Sequence, residues 1–220
     1  MNLRAAHHDT HLQLPEEERS RADCYALISC LFYAAPDAGL LASIAGSAGR
    51  AMDLYTAPAP TTVHVHVAVS AYAQAFSALR KIARVVDADS LRQEYDDLFV
   101  GAGKALITPY TAGYAVPHAP DRHLLELREW LARRGLGRRD GVFELEDHIS
   151  AICDVMRWLI EQDRAVEEQR EFFDRFVRVG AVAFCTAIQA LSNGSCYGAV
   201  ASLAQAFLAV EKKAFDLHAT

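Results

Sequence analysis

The chain has 220 residues, of which 52% are hydrophobic and 23% charged, and its formal net charge is -6. These are globular proportions: they exclude global disorder and leave enough chain to bury a core without a disulfide or metal staple. Lys and Arg number 9 against 12 Asp and Glu in residues 1–110, and 13 against 16 in residues 111–220, so neither half is the basic arm that a nucleic-acid partner requires.

Residues 1–14 read as a loose tail with no apolar segment, so no secretory leader is expected. No uncharged apolar stretch of about 18 residues exists to span a membrane. Pro15 followed by Glu16, Glu17 and Glu18 is a helix start, because proline tolerates the first helical position and acids complement the dipole there. Tyr25, Ile28, Leu31 and Phe32 then recur at helical spacing up to a stop near Pro36. Leu40–Leu54 predicts a second helix, weakened by Gly46 and Gly49, and residues 56–62 read as a linker. Val63–Val69 alternates as a strand would, but a lone strand has no sheet to join. The alanines at 71, 73, 75 and 78 favour helix, so a helix is expected over residues 63–86. Asp89 or Ser90 is the expected cap of a helix running through Leu91 to Phe99.

Gly101, Gly103, Pro109, Gly113, Pro117 and Pro120 break the pattern and predict a functional loop over residues 100–120. Asp121 is the expected cap of the next helix, with Leu124, Leu127 and Leu131 on one face, followed by a polar connection over Gly135–Gly141. Three apolar stripes close the chain: Ile149, Ile152, Met156 and Leu159; Phe173, Phe176, Phe184, Ile188 and Leu191; and Tyr197, Val200, Leu203, Phe207 and Val210, with a stop at residues 192–195 before the last. The expectation is an all-α fold of eight to ten helices, with a flexible tail over 1–14 and a single helical domain over 15–220.

The five cysteines form no CxxC pair and read as reduced thiols of a cytoplasmic protein. There is no HExxH, no Cys/His quartet and no GxSxG, so no metal site and no catalytic residue is expected. His7, His8 and His11 lie in the tail, and His64 and His66 would share a face only in a strand. The segment Glu94–Gly103 reads either as a glycine helix stop with core aromatics or as a groove wall formed with Pro109, Tyr110 and Tyr114. Asp147-His148 reads either as a helix start, with Asp147 as cap, or as groups that grip a cationic peptide. Ten acids stand against three arginines in residues 144–174, which is a solvated face or an attractor of a basic partner.

Taken in order, these motifs resemble the cytoplasmic maturation chaperones of molybdenum oxidoreductases, the TorD/DmsD/NarJ group. Glu94, Tyr95, Leu98, Phe99, Gly101 and Gly103 match one element of the group, followed by Pro109-Tyr110 and Tyr114. Asp147, His148, Ile149 and Met156 match a second, Arg21, Tyr25 and Leu27 an N-terminal one, and Tyr197, Leu203, Phe207, Leu208 and Glu211 the last helix. Gly180 stands where the group carries tryptophan, Ile152 where it carries glutamate, and Thr111-Ala112-Gly113 where it carries a loop serine.

The resemblance implies an all-α, non-catalytic cytoplasmic chaperone of anaerobic respiration. It implies binding of the twin-arginine leader, or the apo form, of a molybdenum oxidoreductase precursor until its cofactor is inserted. Tyr25, Leu98, Phe99, Pro109, Tyr110, Tyr114, Asp147 and His148 become the expected peptide-binding residues. It implies no resident cofactor, with guanine nucleotide and molybdopterin cofactor as weak alternative ligands, and a monomer or a helix-swapped dimer. The competing reading is a helical nucleotide- or molybdopterin-binding protein or enzyme that uses Asp147 and His148. A helical transcriptional regulator is disfavoured, because the one basic cluster, residues 128–139, is interrupted by glycine.

Overall fold

The computed structural model describes residues 3–4, 14–47, 63–101, 103–139, 141–192 and 194–218. The expected linker at 56–62, most of the expected tail and the second half of the Leu40–Leu54 helix lie outside them. The described residues fall into ten α-helical segments and one pair of two-residue strands. The all-α expectation therefore holds. The chain forms two compact units, each assembled from two stretches of sequence: residues 1–33 with 109–183, and residues 34–108 with 184–220.

In the first unit, α1 (Glu16–Tyr33) opens on its three acids, and the Pro15 carbonyl accepts from Arg19 N at 3.0 Å. It buries Tyr25, Ile28, Leu31 and Phe32 and packs along α7 (Ile149–Glu161). Between them come α5 (Ala112–Ala115) and α6 (Pro120–Ala132). Contrary to expectation, α6 begins on Ala119 with Pro120 inside its first turn, and Asp121 lies within that turn, where its charge favours the dipole. The connection after α6 carries a short strand: β2 (Gly137–Arg138) pairs antiparallel with β1 (Leu3–Arg4). α8 (Val166–Phe172) continues through a π-helical turn, Phe173–Val177, into α9 (Arg178–Leu191). The wider turn brings Phe172, Phe173, Phe176 and Val177 all inward. Trp130 packs on Phe172 with ring centroids 4.6 Å apart, and the Arg134 guanidinium lies over the Trp130 ring at 3.4 Å. The unit boundary falls inside α9, between Ala183 and Phe184.

The second unit is built on α10 (Cys196–Leu217), which packs along α3 (Val63–Ala83). The alternating Val63–Val69 segment is helical: with no strand to pair with, helix propensity prevails. α2 (Ala38–Gly46) lies on α3, and α4 (Ala88–Tyr95) touches α10. The cap of α4 is Asp87, whose Oδ1 accepts from Ser90 N at 2.8 Å, in place of the expected Asp89 or Ser90. α4 runs on as a π-helical turn, Asp96–Val100, which turns Leu98 and Phe99 inward together. The turn stops at Gly101, whose φ is 64° and where an added Cβ would lie 2.3 Å from the Lys104 carbonyl oxygen. Only glycine fits there.

Candidate functional site

The expected site residues are placed in both units. Leu98 and Phe99 belong to the second and are buried. Phe99 packs on Tyr95 at 5.0 Å, Tyr197 at 5.2 Å and Phe184 at 6.1 Å between ring centroids. Glu94 closes this corner. Its Oε1 accepts from Ser195 Oγ at 2.6 Å and from Tyr197 N at 2.8 Å, tying α4 to the start of α10.

Tyr25, Pro109, Tyr110, Tyr114, Asp147 and His148 belong to the first unit. Tyr25 is wholly buried in α1. The others form one corner at the start of α7. The Pro109 carbonyl accepts from Ile149 N at 2.9 Å, and Tyr110 and His148 pair through their backbones. The Tyr110 ring meets the His148 ring edge-on at 5.5 Å, and the Tyr33 ring does so at 6.4 Å. Tyr114 is half-buried in α5, whose start Asp147 holds.

Asp147 is 3% exposed and faces inward. Its Oδ2 accepts from Ala112 N at 3.2 Å, and its carbonyl oxygen accepts from Thr111 N at 2.9 Å and Thr111 Oγ1 at 3.0 Å. Its Oδ1 is buried without a hydrogen bond, and burial holds its carboxyl above the usual carboxylate range. Asp147 is therefore not the cap of α7, as the sequence had suggested, and it is not a surface carboxylate. The cap is His148, whose Nδ1 accepts from Ser150 N at 3.2 Å. Burial pushes the His148 imidazole down to about 4, so the ring is neutral at pH 7.

A small open-mouthed recess, with about 20 Å³ of room, adjoins this corner. Leu131, Val142, Leu145, Ala151 and Val155 supply its apolar wall, with Tyr33, His148 and Ser150. Outside it, Phe143 is 87% exposed, and Tyr33 and Leu145 are partly exposed. Half of the ten acids in residues 144–174 are paired with arginines within the chain. Glu146 pairs with Arg128 at 2.8 Å and Arg138 at 3.1 Å, and Glu161, Glu168, Glu171 and Asp174 all have arginine partners. Glu144, in the cavity wall, has no ion-pair partner among the described residues. It is the acid at the mouth that a cation can reach.

The sequence reading placed Leu131 on a helix face and Glu144 in the acidic run, but named neither as a site residue, and it did not single out Ser150, Phe143, Tyr33 or Val155. Phe143 carried a local signal, an aromatic residue in an otherwise polar and acidic connection. Ser150, Tyr33 and Val155 carried none, because the recess joins α1, α6, the 137–148 segment and α7. No cluster of three or more metal-ligating side chains exists among the described residues, and no helix among them is long and apolar enough to cross a membrane.

A family model described as nitrate reductase delta subunit matches residues 68–186. No curated protein matches the chain. Among solved structures, a protein of Archaeoglobus fulgidus assigned to redox enzyme maturation is similar at 18% identity with a TM-score of 0.48, over 92% of this chain and 99% of that one.

Proposed function

Because the chain belongs to the nitrate reductase delta subunit family, we propose that it is a cytoplasmic, non-catalytic maturation chaperone for a molybdenum oxidoreductase. In this reading it binds the precursor of the catalytic subunit through its twin-arginine leader and releases it after cofactor insertion. The observation that carries the reading is the mouth of the first-unit cavity. There the exposed Tyr33 ring and the Leu145 side chain border an apolar recess, and the unpaired Glu144 stands in the same wall. A leader offers the matching pair, a cationic end and an apolar stretch. The arginines go to Glu144 rather than to Asp147, which is buried against Thr111 and Ala112.

Calorimetric titration with twin-arginine leaders of molybdenum oxidoreductases from the same organism tests this. Micromolar or tighter binding is expected, weakened by Arg-Arg→Lys-Lys in the leader and by about 3–10-fold in Glu144→Gln. Leaders that do not bind at all, or turnover of a guanine nucleotide, would overturn it.

A further inference from the structure

Two arginines share one acid on the surface of the first unit. Arg128 of α6 donates from Nε to Glu146 Oε2 at 2.8 Å, and Arg138 of β2 pairs through Nε with Glu146 Oε1 at 3.1 Å. The Glu146 side chain is 12% exposed, whereas those of Arg128 and Arg138 are 42% and 39% exposed. One nearly buried carboxylate thus grips two half-exposed guanidiniums by their Nε edges, and the cluster keeps a single positive charge. The outer nitrogens are underused. Arg128 Nη1 and Nη2 have no hydrogen bond among the described residues, and Arg138 Nη1 reaches only the Phe143 and Glu144 carbonyl oxygens, both at a long 3.5 Å. The residues three and four positions from Arg128 on α6 are leucines and an alanine, so no acid on its own helix takes those donors.

The surroundings narrow the ligand. A guanidinium is a planar fork of donors that a carboxylate or a phosphate meets with two parallel bonds. A single positive charge, with Glu144 following Phe143, matches a carboxylate better than a phosphate monoester, which carries nearly two negative charges. Apolar area lies on both sides. Leu125, one helical turn before Arg128, is 56% exposed, and Phe143, whose carbonyl Arg138 meets, is 87% exposed. A free anion has no use for those side chains, and a peptide has.

We propose that Arg128 and Arg138 form a docking site for an acidic peptide segment, in which one Asp or Glu carboxylate takes the outer guanidinium nitrogens and neighbouring apolar side chains lie on Leu125 and Phe143. The site recognises a charge opposite to that of the leader's arginines. It goes beyond the leader reading and does not rest on it.

The test uses the full-length ¹⁵N-labelled protein and the peptide N-acetyl-Leu-Glu-Phe-amide at millimolar concentration, with the Leu-Gln-Phe peptide and sodium phosphate as comparators. The glutamate peptide is expected to shift the Arg128 and Arg138 Nε–H signals saturably, and both comparators are expected to bind more weakly. Arg128→Gln leaves Glu146 paired with Arg138, so the fold should survive, and glutamate-peptide affinity should fall about 3–5-fold. Arg128→Lys, which keeps the charge and loses the fork, should lie between Arg128→Gln and wild type. Phe143→Ser, at an exposed position, should weaken the peptide about 2–3-fold and leave phosphate unchanged. Phosphate that binds as tightly as the glutamate peptide overturns the proposal. So does a glutamine peptide of equal affinity, or an Arg128→Gln variant that binds the glutamate peptide as wild type does. Twin-arginine leaders should bind Arg128→Gln no more weakly than wild type. A fall there would give these arginines to the leader's surface and overturn the proposal. A glutamate peptide that binds as described, where no leader binds, keeps this site and overturns only the leader reading.

Discussion

Glu94 in the second unit and Asp147 in the first each tie a loop or helix start to another segment, and they finish the task differently. Glu94 Oε1 takes two donors, Ser195 Oγ and Tyr197 N, and the rings of Tyr95, Phe99, Phe184 and Tyr197 fill the space around it. At the Asp147 corner one carboxylate oxygen, the Ser150 hydroxyl and the free nitrogen of His148 are left without hydrogen bonds, and a cavity opens alongside. Motifs of equal prominence in sequence thus separate by polar saturation. A saturated, ring-filled corner supports structure, while a corner with unspent hydrogen-bonding capacity beside an apolar recess is equipped for a ligand.

The largest effect that would break this contrast is at Phe99. If it belongs to the packed corner, Phe99→Ala should cost about 3–5 kcal/mol of stability. For a chain of this size that lowers the thermal midpoint by about 10 °C. Leader affinity, measured where the variant is folded, should be unchanged. A stable variant with weakened leader binding would make Phe99 a ligand contact after all.

The open corner makes a pH prediction of similar size. His148 titrates at about 4 in the fold against 6.5 as a free group. Between those values the unfolded chain binds the extra proton, so this stability is present above pH 6.5 and is lost as pH falls toward 4, by up to roughly 3 kcal/mol. His123, held below its ordinary value mainly by burial, adds to the same slope. Glu144 opposes it by favouring the charged ring, and the buried carboxyls of Asp147 and Asp154, held above their usual range, oppose it from the acid side. Denaturation midpoints from pH 7 to pH 4 should fall steeply in the wild type and less so in His148→Gln. Equal slopes would mean that the ring is solvated.

Gly180 sharpens the comparison from the other side of the Asp147 corner. An added Cβ there would lie 2.7 Å from the Thr111 carbonyl oxygen and 2.8 Å from Thr111 Cβ. α9 therefore meets Thr111 in direct contact, at the residue whose amide and hydroxyl hold the Asp147 carbonyl. Gly180→Ala should cost about 1–3 kcal/mol by overpacking. It should also perturb the Ser150 and His148 amide signals in an NMR spectrum, because the displaced segment leads to Asp147. A variant as stable as wild type would show that the contact relaxes freely.

Helices with an acid-rich start, such as α1, or a strong apolar stripe, such as α7, were readable because local periodicity and burial agree. The helical outcome at Val63–Val69 was readable through what the alternating segment lacked, a partner strand. The caps were less so. Asp87 and His148 displaced Asp89 and Asp147 because a cap depends on which side chain reaches back over the first turn, a matter of one or two residues of backbone phase. The two π-helical turns left no trace in composition, since they appear only when successive large side chains such as Leu98 and Phe99 must all face inward. His148 was named from the sequence, but its neighbours in the recess were not, because Tyr33, Leu131 and Val155 meet only once three helices have packed.

The smallest prediction tests the closed corner alone. Ser195 accepts from Gly198 N at 3.1 Å as the cap of α10, and its single hydroxyl proton serves either Glu94 Oε1 at 2.6 Å or the Ser192 carbonyl at 2.8 Å. Ser195→Ala removes the cap but leaves Glu94 the Tyr197 amide, so the loss should be about 1 kcal/mol. Ser195→Asn restores a neutral acceptor and should recover part of it. Ser195→Asp supplies an acceptor too, but places a second carboxylate against Glu94 and should recover less than Ser195→Asn. None of the three should alter leader affinity. A loss of leader affinity at Ser195 as large as that at Glu144 would mean that saturation of the polar groups does not tell the supporting corner from the binding one.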